Sequence, residues 1–347
     1  MPPQGFTAFA IFVVTDCPGG SMFRTLLIPL DRSPLAEQAI GQAVAIARAS
    51  KAELDLVLVH QPVPFDGFSD APWNAELWNA ERRYLESIEA EISSGSSVTV
   101  THAILQGEPV EMICRRIGDV HADLVIMTSH GRTGLSRAWM GSVADGVVRH
   151  STVPVLILRP IEGATRRTAA HHLFKRVLVP VDGSAPSTEV FAAATALAKS
   201  TGAHISLLRV VQPAPQISAE AGIPYAYMPA LVEDPATQRA SDEAKEQLHE
   251  VARRLREESN AEIDAHVAVA PHVAHAVLEF VRTHDIDLIA MTTHGRGMSR
   301  FLLGSVADKV LRGSSLPLLL CRPTGVQARV HVAETSAEAA TLELSHH

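Results

Sequence analysis

The chain is short of cysteine. Its 347 residues hold three, Cys17, Cys114 and Cys321, an odd and unpatterned set with no CxxC pair and no Cys/His spacing. That argues against a disulfide framework, offers no metal spacing, and fits a reducing cytoplasm. A surplus of positive charge is also missing: 30 Lys and Arg stand against 38 Asp and Glu, a formal net charge of −8. A nucleic-acid partner held through its phosphates is therefore not expected. No apolar run reaches the length that spans a bilayer, so no membrane partner is expected either. The stretch FTAFAIFVV (Phe6–Val14) is short, and no Lys or Arg precedes it as the basic region of a signal peptide would. Walker A, Rossmann GxGxxG and GxSxG signatures are absent as well.

What is present is an ordinary core-forming composition, 46% apolar and 20% charged, at a length that suits roughly two domains. The sequence is also written twice. LLIPLDRSPLAEQAIGQAVAIARASKAELDLVLVHQPVP (Leu26–Pro64) lies without a gap over VLVPVDGSAPSTEVFAAATALAKSTGAHISLLRVVQPAP (Val177–Pro215). The segments Asp123–Pro160 and Asp287–Pro323 align with one deletion. A repeat of about 140–150 residues is domain-sized rather than solenoid-sized. The expected organisation is a leader or mis-called start over 1–21, a first domain over 22–160 and a linker over 161–173. A second domain follows over 174–323, then a disordered polar tail over 324–347.

Within one repeat, short apolar runs alternate with helical patterns. RTLLIPL, LDLVLVH, VTVTHAIL, DLVIMTS and VPVLILR read as strands. The segments beginning SPLAEQ, ELWNAE, EPVEMI and SVADGV read as helices, the first with Ser-Pro as N-cap and N1. Alternating strands and helices give an α/β fold with a doubly wound parallel sheet. Ligands in such sheets sit beyond the carboxyl ends of the strands. There the loop TSHGRTG follows the fourth strand and GSVAD opens the next helix. Loop glycines allow close approach, and the free N–H groups and dipole of a helix start favour an anion. Gly131, Gly134, Gly141 and Ser142 thus read as a phosphate cradle, with Gly295, Gly297, Gly304 and Ser305 as the second copy. Asp31 and Asp182 end the first strand of each half, on the same edge, where a carboxylate can accept from a ribose hydroxyl or an adenine amine. The plainer alternative, a turn and a cap with no ligand, stays open.

The Gly–x9–Gly–Ser spacing from Gly131 to Ser142, framed by HGRTGLSR and VPVLILRP, resembles the universal stress protein (UspA-like) family. So do IPLDRSPLAEQA and VPVDGSAPSTEV. The resemblance covers nearly all of 22–160 and 174–323 and marks a tandem member. It implies two tandem five-stranded parallel sheets of strand order 3-2-1-4-5, the architecture of the adenine nucleotide α-hydrolases. It also implies ATP as ligand, with or without Mg2+, in a regulator of the stress response without dedicated catalysis. Pairing of the two domains through their last strands is expected, as are a possible homodimer and an unknown protein partner. By position, Pro29, Leu30, Asp31 and Gln61 would line adenine and ribose. Met127, Thr128, His130, Gly131, Arg132 and Gly134 would wrap ribose and phosphates, and Gly141, Ser142 and Val143 would hold phosphate. The second-half matches are Pro180, Val181, Asp182, Val210, Met291, Thr292, His294, Gly295, Arg296, Gly297, Gly304, Ser305 and Val306.

Three departures stand out. The motif's first glycine is Thr128 in one half and Thr292 in the other. The second loop has eight residues between Gly295 and Gly304. Gln61 stands where the family has an apolar residue under the base. No catalytic or metal site is expected. His130 and His294 have no carboxylate after them within the loop, and His272 and His275 share a helix face without a third ligand. Asp145 and Asp308 are expected to stabilise the first turns of their helices. Phe65, Phe68, Trp73 and Trp78 are expected to pack on the sheet edge from a long loop after the second strand. A slow ATP hydrolase, and a protein of the same fold that binds partners rather than nucleotide, are the competing readings.

Overall fold

The computed structural model describes residues 23–62, 71–130, 140–161, 163–164, 172–184, 190–213, 234–293 and 304–323. The expected leader and tail lie outside these residues. The first half runs β1 (Thr25–Leu30), α1 (Pro34–Ser50), β2 (Glu53–His60), α2 (Ala71–Gly95), β3 (Val100–Gln106), α3 (Pro109–Asp119), β4 (Leu124–Thr128), α4 (Ser142–His150) and β5 (Val155–Leu158). The second runs β6 (Arg176–Val181), α5 (Val190–Thr201), β7 (His204–Val211), α6 (Pro235–Ser259), β8 (Ile263–Val269), α7 (Val273–Thr283), β9 (Leu288–Thr292), α8 (Ser305–Gly313) and β10 (Leu318–Cys321).

Local chemistry sets these boundaries. Ser33 caps α1 by accepting from Ala36 N–H at 3.1 Å, Pro34 fills the first turn, and Lys51 ends the helix in the left-handed region at φ 57°. Asp234 caps α6 in the same way, accepting from Thr237 N–H. One expectation is corrected here. α2 begins at Ala71, upstream of the predicted start at Glu76, because Ala71 and Pro72 suit a first turn. Trp73 and Trp78 both belong to this helix rather than to a loop, and the Trp78 ring stands edge-on to His60 at 5.2 Å. Phe65 and Phe68 lie outside the described residues, and so does the side chain of Trp73.

The strands form one ten-stranded sheet of order β3-β2-β1-β4-β5-β10-β9-β6-β7-β8. Each half contributes five parallel strands in the order 3-2-1-4-5. The halves meet where β5 and β10 pair antiparallel, with Leu156 opposite Leu319 and Ile157 opposite Leu318. Strands buried on both faces read as unbroken aliphatic runs, which is why LLIPL and LVIMT lack polar alternation. Both faces carry a continuous apolar cluster that crosses this seam. On one face Leu26, Ile28 and Leu156 join Val177, Val179 and Leu319; on the other Val125 and Ile157 join Ile289 and Leu318. Helix α1 packs against α5 across the seam, and Arg159 donates to the Leu311 carbonyl at the end of α8.

The connection between the halves is fastened to α1. The buried Gln38 amide donates to the Ile161 and Ala164 carbonyls, at 2.9 and 3.0 Å, and accepts from Ile161 N–H at 2.8 Å. Gln42 donates to the His172 carbonyl at 3.1 Å.

Candidate functional site

The ladder between β1 and β4 covers only Leu26–Leu124 and Leu27–Val125, and that between β6 and β9 only Val177–Leu288 and Leu178–Ile289. Beyond those pairs the central strands run on unpaired with each other toward their carboxyl ends, so a crevice opens at the switch in strand order. Of the sequence-predicted residues that are described, those at the ends of β1 and β4, and of β6 and β9, stand on its two sides.

On one side stands the turn into α1. Pro29 and Leu30 are buried, and Asp31 follows them half-buried. Its Oδ1 accepts from Ser33 N–H at 2.9 Å, so the carboxylate is oriented by the start of α1. The second half repeats the arrangement after Pro180 and Val181. Asp182 Oδ1 accepts from Ser184 N–H at 2.9 Å and from its hydroxyl at 2.6 Å. The residue between differs. Arg32 takes φ 66° in the first half, and Gly183 takes φ 76° in the second. A Cβ on Gly183 would come within 2.2 Å of Arg209 Nη1. Arg209 stands on β7 where Leu58 stands on β2, so glycine makes room for a guanidinium that the first half lacks.

On the other side stands the end of β4. Met127 is buried, and Thr128 turns its hydroxyl back to donate to the His130 carbonyl at 2.7 Å. Ser129 N–H continues the sheet to Leu158 O at 2.9 Å, and Ser129 O accepts from Gly141 N–H at 2.7 Å. The two ends of the glycine loop are thus tied together by one backbone bond. The second half repeats it: Thr293 N–H reaches Cys321 O, and Gly304 N–H reaches Thr293 O, both at 2.8 Å. Met291 and Thr292 occupy the places of Met127 and Thr128. Gly131, Arg132, Gly134, His294, Gly295, Arg296 and Gly297 lie outside the described residues.

Gly141 and Gly304 are the N-caps of α4 and α8, and neither gives its helix a side-chain cap. Gly141 sits at φ −69°, and a Cβ there would meet Ser129 O at 3.4 Å, an ordinary contact. Neither backbone strain nor packing demands glycine at this position. What its bareness does is leave the first N–H groups of α4 without a cap from the N-cap side chain. Ser142 and Ser305 are exposed beside them, and Val143 and Val306 pack partly against the core. Asp145 and Asp308 lie in the first turns, as expected, and each also bonds the arginine one turn on: Arg149 at 2.8 and 2.9 Å, Arg312 at 2.9 Å.

One predicted match is out of register. Val210 lies inside β7, partly buried against the face that holds α7 and α8, and its counterpart on β2 is Val59 in the same setting. Gln61 is exposed beyond β2, and its counterpart is Gln212, whose amide donates to Pro271 O at 2.8 Å. An apolar residue is thus present near this edge in both halves, and sequence reasoning passed over Val59. The gapless alignment of the two halves contained that signal.

Sequence reasoning also missed two polar pairs set into the core, one of them an ion pair. At the end of β2, His60 Nδ1 lies 2.7 Å from Glu81 Oε2, both almost fully buried. Inside β2, Asp55 is 1% exposed and takes Nε and Nη2 of Arg116 at 2.9 and 2.8 Å, with the Thr101 hydroxyl at 2.9 Å. Its contacts push the Arg116 pKa up, chiefly through the hydrogen bond to Asp55. His272 is the N-cap of α7 and His275 lies one turn on; among the described residues no group of three or more His, Cys, Asp or Glu is placed to hold a metal. Among them, too, no helix is long and apolar enough to cross a membrane.

Comparison with known proteins agrees with this architecture. The model of the universal stress protein family matches residues 22–159 and again 173–322. A universal stress protein of Thermus aquaticus is 32% identical over 139 residues, 40% of this chain and all of that one. One from Methanocaldococcus jannaschii is 28% identical over 144 residues, 41% of this chain and 85% of that one. Among solved structures, a universal stress protein of Archaeoglobus fulgidus superposes with a TM-score of 0.59 at 20% identity, covering 86% of this chain and 96% of its own. A functionally unknown protein of Pseudomonas aeruginosa reaches 0.58 at 16% identity, covering 91% and 98%.

Proposed function

Since the chain belongs to the universal stress protein family through both of its halves, we propose that it is an adenine-nucleotide-binding regulator of the stress response without dedicated catalysis. ATP is the ligand, with or without Mg2+, in modules bounded at 22–160 and 174–323. One observation carries the reading: α4 begins at a glycine that gives it no side-chain cap, held against the strand end by the Gly141–Ser129 bond, and α8 repeats this at Gly304. N–H groups at a helix start suit phosphate. Asp31 and Asp182, oriented across the crevice, suit a ribose hydroxyl or the adenine amine, and Val59 and Val210 supply apolar surface at the same edge. Occupancy would bias the loop between β4 and α4, and a protein partner in the cytoplasm reads the result.

Mass spectrometry of ligand released from denatured, purified protein tests this directly. ATP or ADP at one to two per chain is the expected result. No nucleotide in the protein, with no binding on titration with ATP and Mg2+, would leave a partner-binding protein of the same fold. Thr128 and Thr292 in place of the motif's first glycine favour that second reading. A slow hydrolase would release ADP in a way that Asp31→Asn abolishes, since transfer to water needs a positioned carboxylate.

A further inference from the structure

We propose that the second half carries a proton-operated fastening of its edge strand β8, built from Asp264, His204 and His266, where the first half has a permanent ion pair. The two halves can be overlaid position by position. On β2 and β3, Asp55 stands opposite Thr101; on β7 and β8, Ser206 stands opposite Asp264. Carboxylate and hydroxyl have exchanged strands. The helix partner has changed as well: counting back from Asp123 and Asp287, the place of Arg116 is taken by Phe280. Those two aspartates anchor the overlay, since each accepts from two backbone N–H groups at the start of the central strand: Arg24 and Thr25, then Lys175 and Arg176.

Moving the carboxylate outward and removing the guanidinium leaves Asp264 without a fixed countercharge. Histidines supply one instead. His266 Nε2 lies 3.0 Å from Asp264 Oδ2 and His204 Nε2 lies 3.8 Å from it. His204 Nδ1, His266 Nε2 and Asp264 Oδ1 are all sealed from solvent with no hydrogen-bond partner among the described residues, so His266 meets Asp264 as a close charge contact rather than as an aligned hydrogen bond. Phe280 packs edge-on to His266 at 4.9 Å and stacks on His284 at 3.7 Å, so the aromatic that replaced arginine holds the imidazoles in place. In the first half the same positions are Glu53 for His204 and Ala103 for His266.

Other charges face the cluster from each neighbouring element. From β6, Arg176 donates to His284 O. On α7, Glu279 and Arg282 bond each other in solvent. Asp285 and Asp287 follow α7, the latter committed to backbone N–H groups. From α6, Arg256 donates to Ile263 O, with Glu262 beside it. Burial opposes ionisation of Asp264, but the contacts from His266 and Ser206 and the nearby imidazoles outweigh it and hold the carboxyl below its usual range.

The attraction needs an ionised Asp264 and a protonated imidazole. Loss of the imidazole proton removes it on the alkaline side, and protonation of Asp264, whose carboxyl is held below its usual range, removes it on the acid side. The Asp55–Arg116 pair does not change near neutrality, because guanidinium keeps its proton. The two halves therefore respond differently to the same pH change.

Hydrogen exchange read by mass spectrometry on the full chain at pH 5.5 and 7.5, corrected for intrinsic exchange, tests the proposal. Peptides over 263–269 should lose protection by about three-fold at the higher pH relative to peptides over 100–106, the scale of a partly exposed ion pair. His266→Ala, which installs the first-half residue, and Asp264→Asn should each remove that difference. Equal pH response of the two strands in the unaltered protein overturns the proposal without reference to any variant. So does a pH response that survives in either variant.

Discussion

At the scale of single residues, the glycines separate into two kinds. Gly183 is required by the fold. Its φ of 76° is unfavourable for a side chain, and Arg209 fills the space a Cβ would need. Gly183→Ala should cost about 1–2 kcal/mol by thermal or denaturant melting. The double variant with Arg209→Leu should recover only the smaller part due to the guanidinium, since the backbone strain stays, a coupling that a double-mutant cycle reads. Gly141 is of the other kind. Gly141→Ala should cost under about 1 kcal/mol in melting, the N-cap preference for glycine over alanine, because φ is ordinary and the new methyl meets Ser129 O at a normal distance. If the start of α4 receives phosphate, the same change should weaken ATP by roughly ten-fold in calorimetric titration, the size of one or two lost charge-assisted contacts. Gly304→Ala tests the second half in the same way. An unchanged affinity in both variants would move the ligand away from the helix starts. Arg116→Met serves as the stability control. It leaves the buried Asp55 carboxylate with only the Thr101 hydroxyl and should cost about 3 kcal/mol without touching the crevice.

At the scale of elements, most of the fold was legible because its signals are local. Aliphatic runs too short for helices marked the strands, and Ser-Pro marked the start of α1. The repeat fixed which loops face the same edge. What escaped depends on partners distant in sequence. Asp55 interrupts an aliphatic strand and reads as an anomaly until Arg116 arrives from α3, 61 residues later. His60 ends a strand without a hint of Glu81 on α2. The apolar periodicity begins only after the first turn of α2 and so points to a later start, and the gapless overlay sets Val210 against Val59 rather than Gln61. Crossing the seam, Gln38 and Gln42 show what a polar residue on a buried helix face can do. Gln38 saturates its amide on Ile161 and Ala164, so Gln38→Ala removes three hydrogen bonds and leaves backbone groups of the connection without partners. A loss of about 1–3 kcal/mol is expected, with faster hydrogen exchange confined to the connection and the first turns of α1. Exchange unchanged there would mean that the connection is held by other contacts.

At the scale of the molecule, pairing β5 with β10 turns two open five-stranded sheets into one and removes an edge from each. Three facing residue pairs would be a slight joint by themselves. The joint is strengthened because the apolar clusters on both faces run across it, with α1 on α5 beneath. Two consequences follow from the same geometry. The full chain should melt in one cooperative transition, since neither half can open without exposing the shared core. A chain cut to residues 22–160 should still fold around its own five strands, but with β5 bare along an edge of Val155, Leu156, Ile157 and Leu158, all buried in the whole molecule. An unpaired aliphatic edge of this kind recruits another strand. The pairing that β10 provides is antiparallel and nearly self-symmetric, with Leu156 opposite Leu319, its own counterpart in the repeat. A second copy of the first half can offer its β5 in β10's place. Light scattering on that fragment should therefore give a dimer, which Leu156→Lys should dissociate, while the full chain has its β5 already satisfied and cannot associate by this route. A monomeric fragment with a sharp melt would show that the seam is dispensable, and that the two halves are neighbours rather than one folding unit.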